Sequence, residues 1–365
     1  MICSLQFGRP APAFWEKYAQ LWQESAEPSP FQAPHLLQYF ASLADNEPAV
    51  FQCTEQDRLL SAVILGKSKG YFHFLSDLKT DSNFFLFHRD CQPDTTRRIF
   101  EAFLDHIRKE RMTLILNNVP AWAHYAGQFN AALRACPLYH LQVNYSVCPM
   151  AAGETPGRLF NIVSASRSTR TNVNKFLKKE NGAIEIRTDD SDIDAWVEDF
   201  CDNHVARWAE TPTPSAYRDP EKRRFLAQCL RAWHADGILV RFAMKAGEKR
   251  IGLLIGLISG ETLIYHSTTY SPEFAPISPG RTLLYFITEW MAENRLRILD
   301  FGAGNEQYKY NLADREQALQ KIFITEKSNL AFIVKAQLIK TIRERPAWYG
   351  WYQQKIKPAY RKLFR

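Results

Sequence analysis

The stretch LDFGAGNEQYKYNLA, residues 299–313, gathers chemically able side chains at unusual density. Asp300 and Glu306 offer carboxylates, Lys309 an ammonium, and Tyr308 and Tyr310 phenols, around the loosening residues Gly302 and Gly304. Such a set can move a proton and hold an anion. If 306–310 is extended, Glu306, Tyr308 and Tyr310 share one face and Lys309 points the other way. The plainer alternative is that Asp300 caps a turn, Tyr308 packs and Lys309 is solvated.

A second set lies upstream. Strict alternation along Leu263–Tyr270 puts Tyr265, Ser267 and Thr269 on one face and His266, Thr268 and Tyr270 on the other. His266 is a candidate base, with a structural histidine as the alternative. Pro279 and Gly280 open a helix striped with Leu283, Leu284, Ile287, Trp290 and Met291. A helix start presents unpaired N–H groups and a positive dipole end, so Ser278, Gly280, Arg281 and Thr282 form a candidate anion site. Simple helix capping is the competing explanation. His204, Arg207 and Trp208 fall on one helix face, as a substrate wall or as a packed aromatic pair with an arginine stacked on it.

The elements that must position these residues repeat one order twice. Residues 1–150 read as two helices, three or four strands, then helix, strand, helix, strand. AAGETPGR, 151–158, reads as a linker. Residues 151–328 read as a basic helix at 167–179, a strand and two more helices. A three-strand meander over 238–269, a helix from 281, and strands at 297–301 and 319–325 complete them. On the basic helix, Val173, Phe176 and Leu177 make the expected buried stripe, and Arg167, Arg170, Asn174 and Lys178 the exposed one. Residues 329–365 add a helix and a tail. The fold class is α/β (α+β): two tandem domains, each a mixed, mostly antiparallel sheet flanked by helices, plus the C-terminal helix.

Composition narrows the class. The chain has 365 residues, 46% hydrophobic and 13% aromatic, as expected of a folded protein of about two domains. The net charge of +7 suits an anionic partner without naming one. Seven cysteines with no CxxC pair read as reduced, buried thiols of a cytoplasmic protein. No histidine or cysteine spacing fits a metal, so none is expected. No apolar run approaches the roughly 20 residues of a membrane span.

The order strand, loop, helix start, strand, polar cluster matches the second half of the GNAT acyltransferase fold. The wording is closer to one branch. YHSTTYSPEFAPISPGRTLL, followed by RILDFGAGNEQYKYNLADRE, resembles the CelD/BcsL-type acetyltransferase family of bacterial polysaccharide operons. The basic helix SRSTRTNVNKFLKKENG and the segment HVARW are similar to its remaining features, and the likeness spans residues 160–325. The family is in turn similar to the Fem-type aminoacyl transferases, which are also paired GNAT folds.

The resemblance implies an acyl donor, acyl-CoA or acetyl-CoA, bound by Ser278, Gly280, Arg281 and Thr282. It implies an acceptor amine or hydroxyl on a sugar- or lipid-linked envelope precursor, held by His204, Arg207, Trp208, Tyr265, Tyr270 and Arg170. In that frame Glu306 or Asp300 orients or deprotonates the acceptor, Tyr308 donates to the leaving group, and Lys309 holds a phosphate or polarises a carbonyl. Two departures stand out. The acetyl-CoA loop Gln/Arg-x-x-Gly-x-Gly/Ala is replaced by Pro279-Gly280-Arg281, and Asn305 stands where the family tends to have aspartate. Fem-like transfer from aminoacyl-tRNA is a second reading, favoured by the basic helix. A non-catalytic glycan- or lipid-binding subunit is a third.

The basic helix has no aromatic platform for reading bases, so no sequence-specific nucleic acid is expected. The tail, RPAWYGWYQQKIKPAYRKLFR, interleaves aromatics with lysine and arginine. That mix suits an anionic membrane surface, peripheral at the inner face, or packing of the tail on the first domain.

Overall fold

The computed structural model describes residues 1–77, 79–211 and 214–345. The basic aromatic tail lies outside the described residues. The chain divides into two compact units, one made of Met1–Val147 with Gln317–Arg365, the other of Cys148–Glu316. The second unit is therefore an insertion in the first. It ends before the 319–325 strand that the sequence pattern assigned to it.

The first unit begins with an edge strand that the sequence pattern had not suggested, β1 (Ile2–Phe7), which is short and buries none of its residues fully. Then come α1 (Pro12–Gln23), α2 (Pro34–Ser42), β2 (Glu47–Glu55), β3 (Arg58–Ser68), β4 (Tyr71–Phe74), β5 (Leu86–Phe87), α3 (Pro93–Lys109), β6 (Leu114–Pro120), α4 (Ala126–Ala135) and β7 (Tyr139–Ala152). Proline sits in the first turn of α1, α2 and α3, where its missing N–H costs nothing. Phe51, Phe85, Phe100, Phe103 and Phe129 dominate the core beneath α3 and α4.

β1 pairs antiparallel with β2, and the register sets Cys3 opposite Cys53, where the two sulfurs are bonded. This corrects the expectation of seven reduced thiols; Cys91, Cys136, Cys148, Cys201 and Cys229 are free. Spacing could not reveal the pair, because the two cysteines, 50 positions apart, are brought together by strand pairing.

β7 runs through Ala152, so the expected linker is partly strand, and α5 (Arg158–Ala165) takes up its end. The second unit continues with α6 (Arg167–Lys179), β8 (Gly182–Arg187), α7 (Ile193–Arg207), α8 (Pro220–Ala235), β9 (Leu239–Ala246), β10 (Lys249–Ser259), β11 (Thr262–Tyr270), α9 (Pro279–Glu293) and β12 (Ile298–Asp300). The chain then returns to the first unit through β13 (Arg315–Thr325) and α10 (Leu330–Glu344). There β13 lies between β6 and β7.

The sheet of the second unit runs β7–β12–β11–β10–β9–β8, antiparallel except for the parallel pair β11–β12. Neighbouring residues of β9 face opposite layers. Arg241 lies over Trp196 of α7, whereas Phe242 meets Trp290 of α9. On the α9 side Leu283, Ile287 and Met291 pack on Phe242, Leu254 and Leu263, with Phe176 of α6 beside them. α6 buries Thr169, Val173 and Phe176, while Leu177, expected inside, is exposed.

Candidate active site

β12 pairs with β11 only over Thr262–Ile264. Beyond that point β11 continues to Tyr270, and a cavity of about 350 Å³ opens along it. Its wall takes Tyr265, Thr268 and Tyr270 from β11, Ala275 and Ser278 from the following turn, and Pro279, Gly280, Arg281 and Leu284 from α9. Arg207, Phe301, Tyr308 and Asn311 complete it. The volume suits the head of a small-molecule substrate.

The three β11 residues should not share a face under strict alternation. A β-bulge explains why they do. Gly256 faces Tyr265 and Ile255 faces Ser267, which leaves His266 as the extra residue and reverses the alternation after it. Thr268 and Tyr270 thereby turn to the side of Tyr265. Its phenol donates to Thr268 Oγ1 at 3.2 Å, and Thr268 donates to the Leu253 carbonyl at 3.0 Å. Burial pushes the Tyr265 phenol pKa up, partly offset by the Thr268 hydroxyl and by Arg207. His266 lies outside the wall, its ring 5.2 Å from that of Trp233.

The start of α9 forms the polar end. Ser278 occupies the N-cap position with φ 48° and ψ 64°, and its carbonyl accepts from the N–H groups of Arg281 and Thr282. Pro279 has no N–H, and Gly280, the next residue at the helix start, lines the cavity. A side chain at Gly280 would meet nothing within 4 Å, so glycine here keeps space open. Arg281 is held by Ser168 Oγ at the start of α6, 3.0 Å away. Thr282, expected as a further donor, is buried, and its hydroxyl donates to the Ile277 carbonyl at 2.8 Å. Arg207 stacks 4.3 Å above the Tyr270 ring. Two guanidiniums thus border the cavity, and its described lining holds no carboxylate or imidazole.

The 299–313 stretch is folded differently from the extended form considered above. Gln307–Asn311 is a turn of 3-10 helix, so Tyr308 and Asn311, three residues apart, face the cavity together. Lys309 is only 3% exposed. Its ammonium donates to the carbonyls of Gly302, Ala303 and Gly304 at 3.2, 3.1 and 3.3 Å, and pairs with Glu306 at 2.9 Å. Asp300 accepts from the Gly302 N–H at 2.8 Å, as a turn cap does. Gly304 has φ +123°, where a side chain would also strike the Glu306 carboxylate. Lys309, Asp300 and Glu306 therefore shape the loop that presents Tyr308, and none of them lines the cavity. Tyr310 donates to Glu316, which raises its pKa to about 12.

Of the proposed substrate wall only Arg207 reaches the cavity. His204 accepts or donates at Ser215 Oγ, 2.8 Å away, and stacks on Trp208 and against Tyr217. Arg170 is exposed on α6, outside the lining. Phe301, Thr268 and Asn311 were not foreseen. Asn311 lies within the quoted cluster, but only the 3-10 turn aims it inward. Among the described residues no group of three or more His, Cys, Asp or Glu is arranged to hold a metal.

Residues 164–310 match the family model of an acetyltransferase (GNAT) domain. Three solved structures are similar over nearly the whole chain. FemX is 10% identical with a TM-score of 0.60, covering 91% of this chain and 100% of its own. The C-terminal domain of a putative lysylphosphatidylglycerol synthetase from Agrobacterium fabrum is 8% identical with a TM-score of 0.55, covering 89% and 95%. A conserved protein of unknown function from Bacteroides thetaiotaomicron is 10% identical with a TM-score of 0.54, covering 88% and 100%. No curated protein matches the sequence. The fold is a mixed α/β fold like that of FemX, and within it residues 164–310 match a GNAT-type transferase domain.

Proposed function

We propose that in the cavity an acyl group passes from an activated donor to an acceptor amine or hydroxyl, the donor's leaving group departing with a proton and the acceptor giving one up. The observation that carries this reading is the meeting of the α9 start, Arg207 and Arg281 with Tyr308 around one cavity. The donor's phosphates fit the polar end: the Gly280 N–H, the absent Gly280 side chain and the Arg281 guanidinium suit an anion at close range. When bound, acyl-CoA or a similar donor supplies an activated carbonyl. Tyr308, 47% exposed at the mouth, is the proton donor to the leaving atom. Tyr265 and Phe301, with ring centroids 5.8 Å apart, floor the site and exclude water. With no carboxylate or imidazole in the wall, an acceptor that arrives as a neutral amine or a hydroxyl is favoured over an ammonium, which two guanidiniums would repel.

The CelD/BcsL-like wording points to an envelope or polysaccharide precursor as acceptor. A second reading, aminoacyl transfer, draws on two observations: the missing acetyl-CoA loop and the likeness in fold to FemX and to the lysylphosphatidylglycerol synthetase domain.

Thermal-shift measurements with acyl-CoAs, acyl carrier protein and aminoacyl-tRNA separate the two readings. Stabilisation by an acyl-CoA or acyl carrier protein, lost in Gly280→Leu, is expected. Stabilisation by aminoacyl-tRNA alone favours the second reading. Stabilisation by none of them, with binding only to glycan or lipid, sinks both and leaves a non-catalytic binder.

A further inference from the structure

Helix α10 carries two apolar faces. Phe332 and Ala336 turn inward, where Phe332 meets Phe323 and Tyr71. Leu330, Val334 and Leu338, spaced four apart, form a second row on the outside and are 69%, 66% and 54% exposed. At 1.5 Å per residue this row is about 12 Å long. A helix with one packed face ordinarily turns polar residues to solvent. An outward row of large aliphatic side chains is a surface that association covers.

The surrounding charges select the occupant. Lys335 is exposed, with its ammonium 4.4 Å from the Tyr71 ring centroid, and Arg343 lies over Tyr145. From Lys335 to Arg365 the sequence holds nine Lys or Arg against one acid, Glu344, and Glu344 pairs with Lys340. Trp348, Tyr349, Trp351, Tyr352, Tyr360 and Phe364 follow in the same sequence. Aliphatic anchors, cationic flanks, and tryptophan and tyrosine together match the boundary layer of an anionic bilayer. At 15 residues, α10 is too short to cross one.

We infer that α10 docks on an anionic lipid surface. Leu330, Val334 and Leu338 sit at the headgroup–acyl boundary, and the lysines and arginines sit among the phosphates. This holds whatever group the cavity transfers, because no residue of α10 lines it.

The test is sedimentation of the full chain with phosphatidylglycerol-containing vesicles and with pure phosphatidylcholine vesicles. Binding to the anionic vesicles only, weakened by high salt, is expected. The L330D/V334D/L338D variant should lose about tenfold or more of that binding while keeping its helical circular dichroism. A second readout covers a variant that misfolds: a polarity-sensitive dye on V334C, scored against the dye-treated parent chain. A blue shift with anionic vesicles supports docking. Equal recovery on both vesicle types, undiminished binding of the triple variant, or no dye response overturns it. So does a wild-type dimer that the triple variant abolishes, or a V334C thiol shielded without lipid. Those last two outcomes assign the row to a second copy or to the chain's own tail.

Discussion

Lys309 is the residue whose role the fold changes most. Its ammonium faces three carbonyls and a carboxylate, which makes it the clasp of the Gly302–Gly304 loop. Lys309→Ala should therefore cost about 2–3 kcal/mol of stability by leaving buried acceptors unmet. Urea unfolding measures this, and an unchanged midpoint would sink the clasp. Tyr308 behaves oppositely. Half exposed, it should accept Tyr308→Phe with little change in melting, while turnover falls by about a hundredfold or more if it is the proton donor. Tyr310 gives a pH signature. Its hydrogen bond to Glu316 raises the phenol from the ordinary 10.0 to about 12. A raised pKa means the folded chain holds this proton more tightly. The contribution is complete below pH 10 and is lost as pH climbs through 10 to about 12. Ultraviolet titration of Glu316→Gln should show one phenol returning toward 10.

Among the elements, those with strong local signals were legible in the sequence. Pro220–Ala235 opens on proline, with Asp219 accepting from Glu221 N–H, and ends just before Gly237, and the meander of β9, β10 and β11 shows as apolar runs between turns. Features that depend on a neighbouring strand were not. The bulge at His266 exists only in register with β10, and it decides which β11 residues face the cavity. The Cys3–Cys53 link likewise exists only in register with β2. Of the candidate site, Ser278, Gly280, Arg281, Arg207 and Tyr308 were named from local chemistry and Tyr265 and Tyr270 through the resemblance, and all seven line one cavity. Asp300, Glu306 and Lys309 looked equally able, but their partners are loop carbonyls, a loop N–H and each other, which no spacing shows. The disulfide makes its own prediction. For a separation of 50 residues, chain entropy gives about 4 kcal/mol of stabilisation. Alkylation without reduction should label five of the seven cysteines once the chain is unfolded, and the C3S/C53S variant should unfold at lower urea. Labelling of all seven would show the pair reduced.

At the scale of the whole chain, the inserted second unit sets a constraint. β13 hydrogen-bonds β6, with Phe323 opposite Ile115 and Ile324 opposite Leu114, so the first unit needs residues from both ends of the sequence. A chain ending at 316 keeps all of Cys148–Glu316 but loses most of β13, an interior strand of the first unit, together with α10. It should show protected amides in 148–316 and fast hydrogen exchange across 1–147. Equal protection in both segments would mean that β13 is dispensable.

During synthesis this arrangement reverses the order of emergence. The part made first, 1–147, must wait with a missing interior strand while 148–316, itself a compact unit, leaves the ribosome. The aliphatic backbone segment 114–116 stays without its neighbour throughout that interval. A nascent chain of this protein is therefore most vulnerable to aggregation at its oldest end, and chaperone occupancy there should persist until residues 317–325 appear.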